Sequence, residues 1–210
     1  MPECTGSSSV PSPFPEADVF LLSVALMSMI SFPWGSAEPP VDERWRTWPV
    51  HRVFPGALPG DSPSGARVTY LLAGVAPEAP CRVALQPSAA AALPGCLTTL
   101  RATYADSTQT YVATVGVAVL SGAPGPLPAA LTGTRPASVR PVAFPDGAAE
   151  RFGAAQYVTG ALAASGGRYV VLAAAGYADG RPYQRERRTE PRLRATARQL
   201  ATALNRGLTR

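Results

Sequence analysis

Residues 96–106, "CLTTLRATYAD", and residues 110–120, "TYVATVGVAVL", are two runs dense in Thr, Val and Tyr. Branched and aromatic side chains of this kind suit the pleated, half-buried surface of a sheet better than a helix. The polar "ADSTQ" at 105–109 supplies loop residues where the two runs meet. Two such runs joined by a short polar turn fold back on each other as an antiparallel hairpin. The chain is therefore predicted to build around a sheet.

Other segments extend this pattern. In "RVTYLLAGV", residues 67–75, Val68, Tyr70 and Leu72 alternate onto one face of a strand. Residues 82–92 are alanine-rich and predict a helix, stopped by Pro94-Gly95. "LPAALTG", 127–133, predicts a short helix, and "ASVRPVAF", 137–144, a strand that Pro141 confines to an edge or bulge. The resulting order, β-α-β-β-α-β, is the split βαβ arrangement of ferredoxin-like folds. Residues 156–180 add two strands around Ser165-Gly166-Gly167, although the first of these also admits a helical reading. At the C-terminus, Leu193, Ala197, Leu200, Leu204 and Leu208 recur at helical spacing, with Pro191 suited to the first turn. Arg192, Arg194, Arg198 and Arg206 point away from that stripe. The predicted class is α+β: a ferredoxin-like split βαβ core, an extra C-terminal strand pair and a C-terminal amphipathic helix.

Upstream of the sheet, residues 1–18 are small, polar and proline-containing and predict a disordered leader. Residues 19–37 are apolar and uncharged, with small residues at Gly35-Ser36-Ala37. The run at 19–34 is short for a membrane span and close in length to the hydrophobic core of a signal peptide. Residues 19–37 therefore read as a signal or anchor segment, with a buried helix as the alternative. Glu3, Glu16 and Asp18 precede this segment without an arginine, the reverse of the usual flanking charge. Residues 38–65 read as a Pro/Gly-rich approach segment with a short helix around Val41–Trp48. Trp45 and Trp48 fit either a membrane interface or a lid packed on the domain. A single α+β domain then occupies 66–208.

Three cysteines and one histidine leave little room for metal or redox chemistry. A zinc site needs three or four ligands at local spacing. Here Cys4 lies in the leader and His51 in the approach segment. Fourteen residues separate Cys81 from Cys96, which excludes a CxxC redox motif. In a cytosolic protein the pair would be two buried thiols. Downstream of an export-like segment, a Cys81–Cys96 disulfide across the helix is the better reading.

All 19 basic residues are arginine, which with the alanine and proline excess points to a GC-rich genome. From Arg181 onward nine arginines face Glu186 and Glu190, so this tail carries +7 of a chain whose total is +5. Arg181, Arg185, Arg187, Arg188, Arg192 and Arg194 form a candidate patch for an anionic partner. Tyr183 alone interleaves it, so specific nucleic-acid binding is not expected.

No G-x-S-x-G elbow, phosphate-binding loop or dinucleotide fingerprint is present. His51 reads as a loop histidine, and Asp146-Gly147 and Asp179-Gly180 as turns. No catalytic residue, cofactor or metal ligand is assigned.

Through "CRVAL…GCLTTLRATYAD" and "GRYVVLAAAGYADGR" the chain resembles an uncharacterised family of actinobacterial envelope proteins, membrane-anchored or secreted, over roughly residues 40–190. That resemblance implies an anchor, a Trp/Pro-rich approach and one soluble domain, and it supplies no activity. The expectation is a non-enzymatic extracytoplasmic accessory or binding domain, located at the cell membrane through residues 19–37 or extracellular. The alternative is a small ligand-binding or enzymatic domain using exposed Arg, Tyr and Asp.

Overall fold

A computed structural model describes residues 38–210 apart from 63, 134–135, 154–156, 164–166 and 183–188; for 157–163 and 189–190 it describes the backbone alone. The leader and the segment 19–37 lie outside the described residues. A 3-10 turn at Val41–Glu43 leads into two single-turn helices, α1 (Arg44–Thr47) and α2 (Val50–Val53). Strands β1 (Ala57–Asp61) and β2 (Arg67–Ala79) follow, then short helices α3 (Cys81–Ala84) and α4 (Pro87–Ala91). The hairpin β3 (Cys96–Asp106) and β4 (Tyr111–Leu120) precedes a short helix, α5 (Ala129–Thr132). A second hairpin, β5 (Tyr157–Ala163) and β6 (Tyr169–Tyr177), leads to the long α6 (Thr189–Thr209).

The six strands form one sheet in the order β1-β2-β3-β4-β6-β5, with every neighbouring pair antiparallel. The class is α+β, but the order differs from the ferredoxin-like core expected from the sequence. A split βαβ core needs strands brought side by side in parallel through helical crossovers. Here helices α3 and α4 together span only residues 81–91, too little for a crossover, and the chain returns beside β2 as an antiparallel neighbour.

Three local differences have clear causes. The helix expected over 82–92 is broken into α3 and α4, because Pro87 holds Gln86 extended, at ψ 150°. The strand expected at 137–144 does not join the sheet: Val139 makes an isolated bridge to Leu85. The approach segment supplies β1, whose Pro59 is tolerated because β1 pairs on one side only.

Side-chain alternation gives the sheet two buried faces. Tyr70, Ala102, Tyr104, Val115, Val117, Tyr169, Val171 and Ala173 face α6, which returns Leu193, Ala197, Leu200, Leu204 and Leu208. The apolar stripe read from the sequence is thus the helix's buried face. Trp48, Val53 and Phe54 close the same layer, so Trp48 packs on the domain. The guanidiniums of Arg44 and Arg52 each lie over its indole, 4.7 Å and 4.3 Å from the ring centroid. Arg44 is itself buried and donates from Nη1 to the carbonyls of Leu208 (2.8 Å) and Arg210 (3.1 Å). A cation there complements the carbonyls left open at the end of a helix.

The opposite face is covered by α3, α4, α5 and a strap, residues 137–142. Leu85, Ala89, Leu131 and Val139 pack there on Ala118, Val170, Leu172 and Ala174. The strap is tied to the sheet by a closed ring of hydrogen bonds. The Val142 amide donates to Thr114 Oγ1 (2.9 Å), and Thr103 Oγ1 donates to the Val142 carbonyl (2.7 Å). The 2.8 Å contact between the two hydroxyls must then run from Thr114 to Thr103. Close approach depends on Gly116, where a Cβ would stand 2.8 Å from Val139 Cγ2.

Candidate functional site

Cys81 opens α3 and Cys96 opens β3, and the two are joined by a disulfide with Cα atoms 6.2 Å apart. The bond closes the base of the α3–α4 excursion from the sheet. A structural disulfide of this kind fits an oxidising, extracytoplasmic location. Among the described residues, no helix is long and apolar enough to cross a membrane. Also among them, no group of three or more His, Cys, Asp or Glu is arranged to hold a metal ion.

The basic residues predicted to form an anionic-partner patch fall into three positions. Arg185, Arg187 and Arg188 lie outside the described residues. Arg192 is exposed and Arg194 half-buried, both on α6. Arg181 is exposed but engaged: it bridges Asp179 at 2.8 Å and lies 4.3 Å from the Tyr177 ring centroid. Their mutual hydrogen bond holds the Asp179 carboxyl below its ordinary value and Arg181 above. This Tyr-Asp-Arg group is the nearest match to the alternative site of exposed side chains, and its charges are spent on each other.

The other polar residues raised by the sequence have structural places. His51 is exposed on α2. Asp146 has φ 62°, consistent with its turn. Asp106 is buried at the end of β3, where its Oδ1 accepts from the amides of Thr110 and Tyr111, both at 2.8 Å, and its Oδ2 from the Thr108 hydroxyl. This carboxylate builds the hairpin turn. It also lines a hollow of about 230 Å³ with Leu71, Phe144 and Asp146, with both its oxygens already bonded within the turn.

One polar site escaped the sequence reading. Leu100, Ala102 and Tyr104 point toward α6, which places Thr99, Arg101 and Thr103 on the strap face of β3. Arg101 stands opposite Ala76 of β2 and Gly116 of β4, the residue over which Val139 packs. It is half-buried, and its Nε is fully buried without a hydrogen-bond partner. Two positions along the same face, Thr99 is completely buried and its hydroxyl also lacks a partner.

The charge that bears on Arg101 is another cation. The strap carries Arg140, one residue from Val139 and two from Val142. Its amide donates to the Ala84 carbonyl (2.8 Å) and its Nε to the Leu85 carbonyl (2.8 Å). Burial, and then the Arg140 guanidinium, lower the pKa of Arg101 from the ordinary arginine value; no carboxylate offsets them. Guanidiniums stay protonated in proteins. Two cations thus share a partly desolvated surface with no counter-charge among the described residues. Ionisable groups perturbed by burial and a like charge concentrate at functional sites. The signal in the sequence was an arginine on the otherwise uncharged inner face of a Thr/Ala strand.

No protein-family model, curated protein or solved structure matches the chain.

Proposed function

We propose that this chain is an extracytoplasmic accessory or binding domain of a bacterial envelope, exported or held at the membrane through residues 19–37. The observation that carries the reading is the Cys81–Cys96 disulfide, set in the fold between the sheet and its α3–α4 cover. Structural disulfides persist in oxidising compartments and are rare where glutathione keeps thiols reduced. A binding role is supported by Arg101 and Arg140, two cations of the strap face with no ion pair among the described residues, whereas the Asp106 carboxylate is committed to a turn.

The test is a fractionation of an actinobacterial host producing the full chain, followed by intact-mass measurement before and after reduction. The expected result is protein in the membrane or medium, gaining two hydrogens on reduction. Full-length protein in the cytosol, with both thiols open to alkylation before reduction, would overturn the proposal.

A further inference from the structure

We propose that Arg101 and Arg140 together form a binding site for an oxyanion, the carboxylate or phosphate group of an extracytoplasmic ligand. The inference rests on the binding-domain reading for the compartment of that ligand, and on the geometry of the strap face for its chemistry.

The two side chains are placed independently. Arg101 is fixed by β3, between Ala76 and Gly116 in register, with its stem packed and its Nε buried. Arg140 is fixed by the strap: its main chain is anchored to Ala84, and its Nε is spent on the Leu85 carbonyl. That single bond uses one of the five N–H donors of its guanidinium, and the residue is exposed. The strap itself is held by the Thr103–Thr114–Val142 ring, so the separation of the two arginines is set by the fold. A guanidinium presents paired N–H donors in a plane, the geometry that grips carboxylate and phosphate oxygens. An anion between the two heads would supply a counter-charge to both guanidiniums. The lowered pKa of Arg101 agrees with this environment.

Three other described arginines are already engaged. Arg44 is committed to the C-terminal carbonyls of α6, Arg168 lies 3.6 Å from Asp42, and Arg181 is bonded to Asp179. The Arg101–Arg140 pair combines two guanidiniums held by separate elements, neither of them in an ion pair among the described residues.

The test uses the full chain, ¹⁵N-labelled and oxidised, titrated separately with inorganic phosphate and with acetate at constant ionic strength set by chloride. The arginine Nε–H resonances are the readout, with Arg101→Lys identifying the Arg101 signal by its loss. The expected result is a saturable shift of the Arg101 signal, with Arg181 unmoved. Arg140→Gln, a change at an exposed side chain, should weaken that binding about tenfold, the loss of one charge-assisted contact. Saturation by phosphate alone assigns a phosphorylated ligand, and saturation by acetate a carboxylate. No shift with either anion, equal shifts at all exposed arginines, or full binding in Arg140→Gln would each overturn the site. The measurement is made on purified protein, so its failure leaves the export reading standing, and cytosolic recovery would not undo a positive titration.

Discussion

Reducing the Cys81–Cys96 bond tests how the fold is stapled without replacing a residue. The bond closes a loop of 15 residues. In the chain-entropy account, a loop of that length in the unfolded state is worth about 3 kcal/mol at 25 °C. For a domain of this size, each kcal/mol moves the melting temperature by about 2–4 °C, so reduction should lower it by about 6–12 °C. Urea unfolding of the same protein with and without a phosphine reductant measures the difference directly. If the unfolded chain is what the bond restrains, the denaturant slope should also rise on reduction, because a released chain exposes more surface. The native side should change little. Leu85, Ala89 and Leu93 are buried against the sheet whether or not the sulfurs are joined. A stability loss under about 1 kcal/mol with an unchanged slope would refute the reasoning. Selective loss of amide protection over Leu85–Ala91 at unchanged global stability would instead make the bond a local clamp.

Two further predictions concern the α6 face of the sheet. Truncating Leu200, completely buried there, to Ala should cost about 2–5 kcal/mol by urea unfolding; stability within 0.5 kcal/mol of wild type (about the scale of an ordinary surface change) would mean that the stripe is not packed. Burial raises the pKa of Tyr104, Tyr70 and Tyr169 above the ordinary 10.0. A raised folded pKa means stability that is complete below pH 10 and declines above it, as the unfolded chain releases protons first. Tyr104 alone should contribute a fall of about 1.4 kcal/mol per pH unit above 10. Tyrosinate absorbance should therefore lag behind the exposed tyrosines and appear with unfolding; complete tyrosine ionisation with native circular dichroism retained would contradict the burial.

The strands and the last helix were legible because their patterns are local. The Thr/Val/Tyr runs on either side of Ser107–Thr110 encode their own pairing, and the leucine spacing of α6 encodes its buried face. What stayed hidden was set by tertiary partners. "ALPGD" has no strand propensity, yet it pairs with Arg67–Leu71 because an open sheet edge lies beside it and Pro59 needs no partner on its outer side. "ASVRPVAF" has strand composition but becomes a strap, since its hydrogen bonds go to Thr114, Thr103 and Ala84 instead of a neighbouring strand. The sheet order was misjudged for a related reason. Propensity identifies a helix between two strands but not whether it is long enough to carry the chain across a sheet, and Pro87 settles that question against a crossover.

The candidate site shows the same limit from the side of function. A density of arginine drew the sequence reading to the C-terminal tail, where charge is easy to count. Charge becomes useful for recognition when it is fixed and left without a counter-ion, and neither property is visible in composition. Arg181 looks available in the sequence but is neutralised two residues away by Asp179. Arg101 and Arg140 are 39 positions apart, each alone among uncharged neighbours, and only the fold sets them together. Replacing Arg101 by an apolar residue would remove both the burial of its Nε and the like charge beside Arg140. An anion held between the two heads would offset that like charge while keeping both arginines.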